Sequence, residues 1–232
     1  MPKTIHLLRW PLLLAAVLIA ANSFAGRGDP RKSATRVGRH EIVRQDGNIH
    51  IVDRKGERWN ITRAVEKYGM RPRHFHYGLG RGAFTPITDP DIRDEPEQGD
   101  PEIFGVTRNG VTRAYDVLAV KRHETLMDRI GREPVMVAHC YLADLAGLYE
   151  REVDGRTLTL VASGWTYHNG HHDTFVLYDK ETDSLWFPFA GDGHFTAVAG
   201  PLEGEKLKEL GPTIRASFSN WHATHPDTTY AR

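Results

Sequence analysis

The stretch PVMVAHCYLADLAGLYEREVDGRTLTLVASGWTYHNGHHDTFVLYDKETDSLWFPF runs from Pro134 to Phe189 and decides the fold. It breaks into five short apolar runs: PVMVAHCYL, AGLYEREV, RTLTLVASG, TFVLYD and SLWFPF. They are rich in β-branched and aromatic residues and are joined by short polar links such as Asp154-Gly155 and Lys180 to Asp183. Links this short suit antiparallel neighbours, because a parallel crossover needs a dozen residues or more. The expected fold is mainly β (α+β): an antiparallel meander sheet that closes toward a barrel or a sandwich, with a few short helices. No βα alternation points to a doubly wound sheet.

Outward from this core, EIFGVTRNGVTRAYDV (102–117) reads as two strands about an Asn109-Gly110 turn. A helix is expected over 117–129, with Asp116 as its cap and Gly131 past its end. KLKEL (206–210) and SNWHATHP (219–226) read as short terminal helices. Residues 103–232 are thus the main β-rich domain. Before it, 38–70 reads as a small hairpin-plus-helix unit, with a turn at Asp46-Gly47 and a helix closed by Gly69. Residues 71–102 are rich in Gly, Pro and charge and read as a long loop, a length that often carries function. Residues 38–102 are grouped as the N-terminal hairpin, helix and loop, and 26–37 as a flexible lead.

The first 25 residues have the pattern of a signal peptide. Lys3 and Arg9 precede ten apolar residues, Leu12 to Ala21, and Ser23 and Ala25 are small residues before an expected cut near Ala25. The run is short of the roughly 20 residues a membrane span needs, and no later segment is longer. The expectation is export to the periplasm or the extracellular space. Without Lys3 and Arg9 the chain carries 28 basic and 30 acidic residues. The basic residues are scattered, so nucleic acid is not an expected partner.

Cys140 is the only cysteine, so no internal disulfide can form. On a regular strand Val135, Val137 and His139 share one face, and Met136, Ala138 and Cys140 the other. His139 therefore cannot activate Cys140. The thiol is a core residue, a metal ligand or a nucleophile served by a base from elsewhere.

The pieces Gly105-Val106, Arg113-Ala114-Tyr115, His123-Glu124, Pro134-Val135, Cys140, Tyr149, Ser163-Gly164, Tyr178-Asp179, Ser184-Leu185-Trp186, Gly200-Pro201-Leu202, Trp221 and His225-Pro226-Asp227-Thr228 occur in this order. Together they resemble domain of unknown function family 3179, exported proteins with no assigned reaction. The resemblance implies no activity. It does expose a departure: the family's C-P-L-C is Cys140-Tyr141-Leu142-Ala143 here, which removes dithiol chemistry and a two-thiolate metal clamp from this motif.

Three functions stay open on these residues. Copper or zinc binding would draw ligands from His123, Cys140, His171, His172 and Asp173, because thiolate and imidazole suit both metals. A thiol-dependent enzyme would pair Cys140 with His123, with Glu124 beside them as a further catalytic candidate. A non-catalytic binding or assembly module would use the 71–102 loop. His74 and His76 could share one ion, and His222 with His225 lie on one helix face, against the plainer reading of structural residues. Nucleophile-elbow, SxxK, HExxH and nucleotide-loop signatures are absent from the sequence.

Overall fold

Three of the predicted turns form as the sequence specifies. Asp46-Gly47, Asn109-Gly110 and Asp154-Gly155 each have positive φ at both residues, the condition for a tight hairpin whose twist matches its strands. The computed structural model describes residues 35–37 and 40–232. Its largest sheet has nine strands, antiparallel throughout, and curls into a half-barrel. The order runs Phe75–His76, Leu160–His168, Asp173–Asp179, Leu185–Pro188, His194–Ala199, Lys206–Gly211, Leu145–Glu150, Glu133–Cys140 and Thr125–Ile130.

Both faces of this sheet are covered, which is why its strands read as nearly continuous apolar runs. The concave interior holds Met136, Ala138, Cys140, Phe175, Trp186 and Phe195. One part of the convex face packs under a four-stranded sheet of residues 35–60 and the helix Thr62–Glu66, around Ile51, Trp59 and Trp165. Another part packs under a five-stranded sheet that includes Glu102–Arg108 and Val111–Asp116. Val135 and Val137 face that layer, so the strand Glu133–Cys140 buries both sets of alternating side chains.

Two expected helices are corrected. Lys206–Gly211 is a strand, paired with His194–Thr196 on one side and with Leu148–Tyr149 on the other. Five residues with one buried leucine are too few to hold a helix against two waiting strand edges. The helix expected over 117–129 stops at His123, and Thr125–Ile130 is a strand with five of its six residues buried. Of the expected flexible lead, Thr35–Val37 is a strand paired with His40–Ile42. Residues 26–34 and the expected signal segment lie outside the described residues. Among the described residues, no helix is long and apolar enough to cross a membrane.

Several of the recurring sequence pieces have structural work. Asp128 is buried and accepts from Tyr115 Oη at 2.8 Å, with Arg113 Nε at 3.3 Å. Asp179, fully buried, accepts from Trp186 Nε1 and from the Thr182 backbone N–H. Trp221 donates to Thr228 Oγ1, and a Cβ on Gly105 would lie 2.5 Å from the Trp221 ring.

Removing the Asp128 carboxylate leaves the Arg113 guanidinium buried without its counter-charge. Asp128→Ala is expected to cost about 3–5 kcal/mol by denaturant unfolding. A loss below about 1 kcal/mol would show that the pair is dispensable.

Candidate functional site

A half-barrel leaves a seam, and here it lies between the strands Thr125–Ile130 and Leu160–His168. Thr125 Oγ1 donates to Leu160 O at 2.9 Å and ties the two sides at one point. The 71–102 loop closes the rest. Phe75–His76 adds to the edge of Leu160–His168, and Ile87 bonds Thr125 and Met127 on the other edge. Between these anchors Leu79 N donates to Gly164 O at 3.0 Å. The register of Leu160–His168 against its neighbour shifts between Ala162 and Thr166, and Gly164 has φ +80° there. This bulge turns the strand and lets the loop backbone approach: a Cβ on Gly164 would lie 3.0 Å from Gly80 N.

Under the loop is a cleft of about 70 Å³, room for a few water molecules. Tyr77, Leu79 and Phe84 line it from the loop, Gly164, Trp165 and Thr166 from the bulge, Phe175 from the interior, and Tyr141 and Leu142 from the turn after Cys140. The one charged residue on its wall is Glu124.

Local sequence explains how Glu124 comes to be there. The helix Val117–His123 begins at Asp116, whose Oδ1 accepts from Ala119 N at 2.6 Å. It ends at Glu124 in the left-handed region, φ +64°, and Glu124 O accepts from His139 N at 2.9 Å. That bond fixes Glu124 against the strand that carries Cys140. Seven non-glycine residues among the described ones have positive φ, and five are Asp or Asn. The other two, Tyr77 and Glu124, both line the cleft. Strain of about 1–3 kcal/mol per residue, held at one place, is common at functional sites.

The electrostatics of Glu124 are unusual. It is 5% exposed, and no hydrogen bond or ion pair reaches its carboxyl. Burial alone pushes its pKa up to about 7. At neutral pH the carboxyl is thus divided between its acid and its base form. Cys140 is its neighbour but is 1% exposed and does not line the cleft. Burial pushes the Cys140 thiol up and the Glu124 charge adds to this, while backbone N–H groups of Phe175, Ala143 and Leu142 pull the other way. The net result is a protonated, covered thiol.

The other sequence candidates go elsewhere. His123 precedes Glu124, yet its Nδ1 bonds Thr85 O, so it holds the loop. His171 and His172 lie exposed in a turn, with their backbone N–H groups on Asn169 Oδ1. Asp173 accepts from His76 Nδ1 at 2.9 Å, with His168 Nδ1 at 3.4 Å. His222 and His225 stack on Phe218 and Trp221. Among the described residues no group of three or more His, Cys, Asp or Glu side chains is arranged to hold a metal ion. The expected copper or zinc set of His123, Cys140, His171, His172 and Asp173 is not assembled. Its thiol is in the interior, and two of its imidazoles are on an exposed turn.

The model of the family described as "Protein of unknown function (DUF3179)" matches residues 82–230. The chain belongs to this family. No curated protein and no solved structure matches it significantly. The match takes in Glu124, Cys140 and Gly164, whereas Tyr77 and Leu79 on the loop precede it. Sequence reasoning named Glu124 but gave the leading roles to Cys140 and the histidines. It missed the aromatic wall. The available signal was Ser163-Gly164, a glycine inside a strand pattern, which marks a bulge or a close backbone approach.

Two results are expected from Glu124→Gln. The raised carboxyl favours the folded state below pH 4.5 and loses that contribution as pH climbs through about 7. Wild-type stability should therefore fall by about 3 kcal/mol between pH 4.5 and 7.5 relative to the Gln variant, read from urea unfolding across that range. Parallel pH profiles would remove the buried-carboxyl assignment. Loss of the negative charge should also lower the Cys140 pKa, read from the pH dependence of thiolate ultraviolet absorbance in the variant and wild type. Coincident titrations would separate the two groups.

Proposed function

We propose that this is an exported binding protein that takes a small, mostly apolar ligand in the seam cleft and engages it through Glu124. The observation that carries the reading is a buried carboxyl with no protein hydrogen-bond partner, facing a cleft lined, Thr166 apart, by apolar and aromatic residues. Such a group lowers stability at neutral pH, and its place at a strained backbone position favours a ligand-directed role. The N-terminal pattern supports export.

This reading combines two of the earlier expectations. In it the 71–102 loop supplies part of the contact surface and Glu124 supplies the polar group. Nucleophilic catalysis by Cys140 is less well supported, because the thiol is covered and its pKa is raised.

A fragment panel screened by ligand-observed NMR tests the proposal. Leu79→Trp fills the cleft from the loop side, and its thermal unfolding reports whether the fold is kept. The expected result is a set of fragment hits on wild type that a folded Leu79→Trp protein loses. An empty screen, or hits that survive the filled cleft, would remove the reading.

A further inference from the structure

We propose that the cleft receives a small organic ammonium ion, held by the negative charge of Glu124 and by the aromatic rings around it. This rests on the reading of the cleft as a ligand site. Five rings line the same small volume: Tyr77, Phe84, Tyr141, Trp165 and Phe175. Aromatic faces carry negative electrostatic potential and attract a cation, most strongly where water is excluded. Trp165 and Phe175 are each 1% exposed and form the dry inner wall, while Tyr77 and Tyr141 are exposed and form the rim.

No Lys, Arg or His is among the lining residues, so the protein supplies no counter-charge inside the cleft. A carboxylate at Glu124 is therefore balanced only by a proton or by a cation that enters the cleft. One rim ring already meets an ammonium group of the protein. Lys121 Nζ lies 5.8 Å from the centre of the Tyr141 ring. The cleft is too small for a large amphiphile, so a methylated ammonium head is the class that fits.

The alternative is a neutral ligand that accepts a hydrogen bond from the protonated carboxyl. The two differ in the direction of proton flow. An ammonium guest stabilises the carboxylate and releases protons near pH 7. A neutral acceptor stabilises the acid form and takes protons up.

The experiment compares choline with 3,3-dimethyl-1-butanol, which replaces the charged nitrogen by carbon at nearly the same shape. Both are titrated calorimetrically into wild type and Glu124→Gln at pH 6 and pH 8. Choline is expected to bind wild type about tenfold or more tighter than the alcohol at pH 8. Its affinity should weaken at pH 6, where Glu124 takes up a proton, and Glu124→Gln should abolish the preference. Equal affinities, or a preference that survives Glu124→Gln, would overturn the ammonium assignment. If the alcohol binds as well as choline and Leu79→Trp blocks it, the ammonium assignment fails while the ligand cleft stands. If neither compound binds, the ammonium assignment fails, and the fragment screen decides the cleft independently.

Discussion

An open sheet has two edges, and each presents a row of unpaired N–H and C=O groups. In this protein a nine-stranded sheet curls until its two end regions approach, and one loop satisfies both. Phe75–His76 completes one side and Ile87 the other. The rest follows from that closure. The loop needs the bulge at Gly164 to come close, the bulge opens space beneath the loop, and the space becomes the cleft. The loop's length, unusual for a compact domain, is set by the gap it must cross.

The buried carboxyl groups fall into two kinds. Asp128 and Asp179 are buried and hydrogen-bonded by Tyr115, Trp186 and backbone N–H groups, so they hold strands together. Glu124 is buried to a similar degree, and no protein group donates to its carboxyl. Desolvation without compensation is costly, and a carboxyl answers by keeping its proton to higher pH. That contrast sets Glu124 apart from Asp128 and Asp179.

The lone thiol is also explained by position. Cys140 ends a strand whose alternate residues fill the concave interior, and it packs there with Met136 and Ala138. The turn after it brings Ala143 N back to Cys140 O at 3.2 Å. Ala143, which stands where the resemblance would put a second cysteine, thus lies one tight turn from Cys140. Here the cysteine is a core residue that feels the charge of Glu124.

The sequence by itself determined the strands, their antiparallel links and the tight turns. These are local effects: apolar runs bounded by Asp-Gly and Asn-Gly, with left-handed φ available at little steric cost. It also placed Cys140 and His139 on opposite faces, through the two-residue period of a strand. Only the tertiary structure decided that Lys206–Gly211 is a strand, because its fate depended on two partners distant in the chain. It likewise decided that His123 faces the loop while Glu124 faces the cleft. Neighbours in sequence diverge there because the helix ends in a left-handed residue that reverses the chain. The aromatic wall was not legible at all. Tyr77, Phe84, Trp165 and Phe175 come from three separate segments, and nothing in their spacing shows that curling the sheet brings them around one carboxyl.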